Sequence, residues 1–452
     1  MTNEKSNLIF FFFIYAFAIS AQSDFRFKKG GDKVKIPFKL INNLVFIPIH
    51  VNGIELTFLL DSGVKETILF SLEDKKEISL KNIEKITLRG LGSEDAIEGL
   101  KSAGNLLEIG GMESINHLLY IIVDQNFNIS SHIGIPVNGI IGSSLFHNNL
   151  FEINYEKGKV VFYEDNRRNR RRIERKHKKV PITIEESKPY VNASTVINAA
   201  SIPVPVKLLI DVGNSDAIWL FQDVSDKIKV PTNNFDDYLG KGFSGDVMGK
   251  RARIAEFLIS DFKFTKPIVA FPNSSSLRNL TIVPDRVGSV GGEILKRFSI
   301  VFDYRNRFVY LKKNRNYFAP FVYNKSGIEI MQTGTQWVQE TLYLQGVPVA
   351  VSHMSHSKGR SASSLKYKIQ LQPVFEIANI RESSLAAKSG LRKGDVIISI
   401  NKKPAHRYSL QKINSFLRPE REKWITIEVE RKGKLMKFSF QLIDILKNEK
   451  RS

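Results

Sequence analysis

The 452-residue chain contains no cysteine. That excludes disulfides, thiolate-ligated zinc, iron–sulfur clusters and a cysteine nucleophile, and it removes the lipid-modified cysteine of a lipoprotein anchor. Histidine is also scarce, at eight residues. His353 and His356 stand three apart with no carboxylate or thiol beside them, which is too little for a metal site, and a polar loop is expected there. Nothing assembles a phosphate loop or a Ser-His-Asp triad. No metal and no cofactor are expected.

Long apolar runs are equally few. Residues 8–19 form one, preceded by Lys5 and followed by the small residues Ser20 and Ala21. It is short for a bilayer span and has the layout of a secretory signal over residues 1–21. An uncleaved anchor is the other reading. No later stretch approaches the roughly 20 apolar residues of a membrane helix. An exported chain, periplasmic or extracellular, without a membrane span after signal removal, is expected.

The formal net charge is +21, with 67 Lys and Arg against 46 Asp and Glu. Eight of those net charges lie in residues 167–179, where nine Lys or Arg accompany one Glu. A like-charge run without apolar periodicity is expected to be a solvated, mobile linker, or a patch drawn to an anionic surface. A nucleic-acid partner is not expected, because so much of the excess sits in this one run.

What the chain does have is an internal repeat. "FLLDSGVKETILF" (residues 58–70) and "LLIDVGNSDAIWL" (residues 208–220) each run from an apolar strand into an Asp, with a Gly two residues on. Asp61 and Asp211 lie 150 residues apart. At that offset Gly90, Gly92 and Gly99 fall on Gly240, Gly242 and Gly249, and "GIIG" (residues 139–142) falls on "SVGG" (residues 289–292). The following stretches, "FEINYEKGKVVFY" and "IVFDYRNRFVYL", align one deletion later. Alternating apolar residues and frequent Gly and Asn point to strands and tight turns. Two copies of one antiparallel β lobe are expected, at residues 30–165 and 180–314, joined by the basic run 166–179.

One Asp-x-Gly turn is common and caps backbone N–H groups. Two of them in duplicated lobes would meet across a pseudo-twofold axis. Carboxylates about 3 Å apart cannot both ionise easily, so one keeps a proton. The charged member can then activate water while the protonated one polarises a carbonyl, which is peptide hydrolysis without metal, Ser or Cys.

In these motifs the sequence resembles the aspartic proteases over about residues 35–312, retropepsin-like in each lobe and pepsin-like in pairing two lobes in one chain. Asp61-Ser62-Gly63 and Ile140-Ile141-Gly142 fit the family pattern; Asp211-Val212-Gly213 and Val290-Gly291-Gly292 depart from it. The resemblance implies a mainly β fold with two acid-protease-type barrel lobes, and a catalytic pair Asp61 and Asp211. It also implies turn support from Ser62, Gly63, Val212, Gly213, Gly142 and Gly292. In the family the Ser/Thr hydroxyls cross-link the two turns; Val212 keeps the β-branched shape without the hydroxyl. The resemblance further implies a flap over substrate at Gly90, Leu91, Gly92 and Gly99, although an ordinary hairpin reads equally well there.

After residue 312 the repeat stops. "SLAAKSGLRKGDVIISIN" (residues 384–401) resembles the signature of a bacterial-type PDZ domain, with Leu385 for the usual proline and Lys402 for the glycine after Asn401. An α+β PDZ-like domain at residues 325–445 follows from the resemblance. It would bind a peptide C-terminus or an extended peptide by strand addition, near Phe375, Ile377 and Asn379. A monomeric exported aspartic endopeptidase acting on polypeptides is the leading expectation. A catalytically impaired protease-like peptide-binding protein is the alternative, and Val212 is the residue that favours it.

Overall fold

In the computed structural model the described residues are 24–447, apart from 29, 71–76, 89–96, 123–127, 243–244, 279, 281 and 343–365. The expected signal segment, residues 1–21, lies outside them. Among the described residues strands dominate, in four sheets: nine strands in the first lobe, ten in the second, six shared between them, and six in a C-terminal unit.

The shared sheet shows how the duplication closes. Leu150–Asn154 pairs antiparallel with Phe298–Asp303, setting Phe151 against Phe302, Glu152 against Val301 and Ile153 against Ile300. These strands are the tails that align at an offset of 149, so residue 152 faces its own repeat equivalent, 301. The pseudo-twofold axis therefore passes through that pair. One continuous hydrophobic core crosses it, including Phe58, Leu60 and Phe146 from the first lobe with Ile210, Val212 and Phe302 from the second. Glu152 is buried at the axis and accepts from Tyr163 Oη (2.5 Å), Ser299 Oγ (2.7 Å) and Asn154 Nδ2 (2.8 Å). Burial pushes its carboxyl up, but these hydrogen bonds outweigh it and leave the group below its usual range.

The basic run is not a mobile linker. Arg167–Glu174 is a helix whose N-cap, Asn166, accepts from the Asn169 N–H, and Lys178–Pro181 pairs with Phe308–Lys313 in the shared sheet. Arg170 is held by Asp165 at 2.5 Å and by Asp303 at 2.6 Å, and Ile173 is buried. The counter-charge at Asp303 is more than 130 residues away in sequence, so local charge alone could not reveal it.

The C-terminal unit has a separate core built from Ile328, Phe375, Ile397, Leu410, Ile413 and Leu442, among others. Its sheet begins with the long hairpin Ile328–Leu342 and Lys366–Ile380, which pair along their length. Helix Leu410–Leu417, capped by Ser409, packs its apolar side, Leu410, Ile413 and Leu417, into that core.

Candidate active site

Each Asp turn is set by the same local device. Strand Ile54–Leu60 runs parallel to Gly139–Ile141, and the Asp61 N–H donates to Ile141 O at 3.0 Å. In the second lobe Val204–Ile210 runs parallel to Arg286–Val290, and the Asp211 N–H donates to Val290 O at 2.9 Å. The chain after each Asp folds back onto the end of the late strand, leaving no room for a side chain there. A Cβ on Gly142 would lie 2.4 Å from Glu66 O and 2.5 Å from Val64 O. The second-lobe counterpart is Gly291, whose Cβ would lie 2.5 Å from Asp216 O. Gly291, not Gly292, thus occupies the place of Gly142: the single-residue deletion falls before the late glycine. Gly292 instead opens the helix Gly292–Leu295 against Asn43 O, 2.4 Å from where its Cβ would be. Asn43 seals this side of the lobe junction through Ser215 O (2.8 Å) and Glu293 Oε2 (2.9 Å).

The two carboxyls meet. A Cβ built on Gly63 would lie 3.1 Å from both Asp61 Oδ1 and Asp211 Oδ1, so the two carboxyls converge on one point. Asp61 Oδ1 accepts from Gly63 N at 2.7 Å, and Asp211 Oδ1 accepts from Gly213 N at 3.1 Å. The opposing glycines are essential to this approach. A Cβ on Gly213 would lie 2.2 Å from Asp61 Cγ, and one on Gly63 would lie 3.1 Å from Asp211 Oδ1. Both aspartates are half-buried. Burial raises both carboxyl pKa values; the negative charge of Asp211 adds to the rise at Asp61. The pair therefore holds one proton between its two carboxyls at pH values where an ordinary carboxyl has none, and it titrates as a unit.

The link between the turns is one-sided. Ser62 is fully buried; its Oγ donates to Ile210 O at 2.6 Å and accepts from the Val212 N–H at 3.0 Å. Val212 is equally buried, in the common core, and returns no hydrogen bond through its side chain. The first lobe grips the second without being gripped back.

Several residues at the site were not legible in the sequence. Arg286 is buried one strand away from Asp211, with Nε donating to Gly288 O (3.1 Å) and its guanidinium 5.3 Å from the Phe221 ring. Burial lowers its pKa, and the neighbouring Tyr190 and Asp211 oppose that. Its positive charge offsets part of the rise at Asp211 and is not among the leading influences on Asp61. Lys188 acts the same way on both. Both cations ease the cost of the negative charge that the pair carries. A second network starts five residues past Asp211. Asp216 accepts from Trp219 Nε1 (2.8 Å) and from Arg251 Nη1 (2.7 Å), Arg251 Nε reaches Asp237 at 2.6 Å, and Asp237 takes Arg381 of the C-terminal unit at 3.3 Å. Apart from Asp216 with Trp219, each of these pairs joins residues 14 or more positions apart, and no motif marks them.

Of the expected flap residues, Gly90, Leu91 and Gly92 lie outside the described residues. Gly99 sits in strand Ile97–Ile109, paired with Ile86 on one side and Ile122 on the other. The second-lobe hairpin, Asn234–Gly242 with Gly245–Arg253, is its repeat counterpart.

The expected peptide-binding strand needs correction. Phe375 and Ile377 are buried in the C-terminal core. Their strand already pairs with Gln332 and Ile330, and the Ile377 N–H donates to Asp395 O. Asn379 pairs with Glu329, and its side chain caps the Ile380 N–H. Residues 376 and 377 are therefore paired on both sides. The edge strand on that side of the sheet is Ile328–Leu342, and it lies next to helix Leu410–Leu417.

Residues 376–431 match the PDZ domain family. The PDZ domain is docked onto both lobes. On the second lobe, Arg381 lies 4.2 Å from the Phe235 ring, Arg253 meets Asp444 at 3.1 Å, and Leu446 joins Phe235, Ile268 and Tyr323 in one cluster. On the first, helix Ile129–Ile133 lies against the PDZ edge strand Ile328–Leu342. Gln411 Nε2 donates to Ile133 O at 2.6 Å, and the Cα of Gly134 faces Leu410 so closely that a Cβ would be 2.8 Å away. Among solved structures the chain is similar to an aspartic proteinase from Irpex lacteus, at 13% identity and a TM-score of 0.41, over 64% of this chain and 99% of that one. No curated protein matches the chain.

Proposed function

We propose that this chain is an aspartic-type endopeptidase whose PDZ domain recruits polypeptide substrate. The carrying observation is the convergence of Asp61 and Asp211, placed by equivalent turns of duplicated lobes. In this reading Asp211, which has Arg286 near it, is the ionised member and takes a proton from a water lying between the carboxyls. Asp61 donates its proton to the oxygen of the scissile carbonyl as the water attacks the carbon. The tetrahedral species then collapses: the C–N bond breaks, the amine leaves with the proton held by Asp211, and Asp61 regains one from the diol. The run at residues 8–19 supports export as the setting for this activity.

Recruitment would use the outer edge of Ile328–Leu342, since PDZ domains take peptides by strand addition beside a helix. Helix Ile129–Ile133 occupies part of that approach, so a peptide entering there must displace the first lobe. A second reading, a peptide-binding protein that no longer cuts, is favoured by the one-sided link at Val212. A peptidase assay at acidic and neutral pH, with and without pepstatin, separates the two. Pepstatin-sensitive cleavage supports the first reading, and binding without cleavage supports the second.

A further inference from the structure

Asp216 stands on the return limb of the second catalytic turn, five residues past Asp211. Its N–H donates to Asn214 Oδ1 at 2.9 Å, and its carbonyl accepts from the Glu293 N–H at 3.2 Å. That carbonyl is also the one Gly291 packs against. A displaced Asp216 would therefore move the loop that seats Asp211 on the late strand. Its side chain is gripped from outside the turn. Trp219 Nε1 donates to Oδ2 at 2.8 Å, and Arg251 Nη1 to Oδ1 at 2.7 Å. Arg251, on the second-lobe hairpin, also donates from Nε to Asp237 Oδ2 at 2.6 Å. The PDZ domain's Arg381 donates from Nη1 to the other oxygen, Asp237 Oδ1, at 3.3 Å.

The Arg251 side chain is 13% exposed and that of Arg381 7%, so the four charges alternate in a largely desolvated row. In such a row each charge needs its neighbour, and removing an end member leaves a carboxylate short of a cation. The nearby Glu329 is pushed up to about 7 by burial and by the charge of Asp237, so below that pH it is mostly protonated and the row is balanced. Among the described residues the first lobe has no such row. At the 150-residue offset Asp216, Arg251 and Asp237 fall on Glu66, Lys101 and Thr87, so the second carboxylate is missing, and Lys101 pairs with Glu84 on the surface at 3.8 Å. The row belongs to the lobe whose turn carries Val212 and returns no side-chain hydrogen bond. We propose, resting on the endopeptidase reading, that Arg251, Asp237 and Arg381 are positioning residues for the reaction. They hold Asp216, and through its backbone the turn that presents Asp211, so PDZ docking serves turnover as well as recruitment.

The test measures kcat and KM of the full chain on a short peptide in acidic buffer. Arg381→Ala is compared with Arg381→Lys, which keeps the charge at a one-point contact, and with Arg253→Ala, which removes the Asp444 contact of the same interface. Arg381→Ala should lower kcat roughly tenfold or more, with KM within about twofold of wild type. Arg381→Lys should recover most of the loss, and Arg253→Ala should keep the wild-type kcat. A second readout needs no cleavage. With Trp337 and Trp424 replaced by Phe, Trp219 is the one tryptophan left, and its Nε1 donates to Asp216. Its fluorescence emission should shift in Arg381→Ala and stay in place in Arg253→Ala. A kcat untouched by Arg381→Ala, or lowered equally by Arg253→Ala, would overturn the proposal. A wild type that cleaves nothing would defeat the endopeptidase reading instead, and the emission would still decide whether the row holds Asp216. An unchanged emission in Arg381→Ala overturns that hold in either case.

Discussion

Ser62→Ala is the most informative single change at the lobe junction. The Ser62 hydroxyl serves two buried groups of the other lobe, accepting from the Val212 N–H and donating to Ile210 O. Alanine leaves both without that partner. A buried polar group left unpaired costs about 1–3 kcal/mol, so the loss is about 2–6 kcal/mol, the lower end if water enters from the cleft. In a protein this size each kcal/mol moves the midpoint by roughly 2–4 °C or less. Calorimetry should therefore show the lobes melting several degrees lower, and turnover should fall because the dyad loses its alignment. Ser62→Thr, which keeps the hydroxyl, should restore most of both. A Ser62→Ala protein within about 0.5 kcal/mol of wild type, the range of an inert surface change, would refute the one-sided grip.

Val212→Thr should gain about 0.5–1.5 kcal/mol by returning a hydrogen bond, read as a higher melting point and equal or higher turnover; complete loss of activity would mean the site has no room for the hydroxyl's partner. Gly213→Ala should abolish cleavage, because its methyl would occupy the position of the Asp61 carboxyl, 2.2 Å from Cγ; wild-type kinetics in this variant would refute so close an approach of the two turns. Both dyad carboxyls have pKa values raised by burial, so above pH about 4 the folded state holds a proton the unfolded chain has lost. The pair's contribution to stability therefore falls as pH rises from about 4, and activity falls once the shared proton is lost; in melts across pH, Asp211→Asn should flatten this slope, and an unchanged slope would contradict the assignment. Arg381→Ala removes a mostly buried partner of Asp237 and should loosen PDZ docking, seen as a larger radius of gyration in small-angle scattering; an unchanged radius would show that the other contacts suffice.

The features legible in the sequence were those that repeat. Asp61 and Asp211, each followed by a glycine two residues on, were readable because the same physical requirement appears twice at one spacing. The late glycine of the second lobe was misplaced by one residue, since "SVGG" offers two glycines and only the backbone crowding at Gly291 distinguishes them. Arg167–Glu174 read as a mobile linker because its counter-charge at Asp303 is remote. Phe375 and Ile377 looked like a binding strand because apolar alternation marks a strand without saying which edge is already paired. Arg286, and the chain from Asp216 to Arg381, consist of single charged residues that acquire meaning only when folding brings them together.

The proposed activity stands or falls on whether the two lobes of one chain supply one catalytic pair. Asp211→Asn is the sharpest probe of this, by cleavage of an unfolded protein substrate alongside the melting curve. Activity should fall to background while the chain stays folded, as with Asp61→Asn, because a shared proton needs both carboxyls. Full activity in Asp211→Asn would contradict the pairing, leaving the first lobe to act without the second.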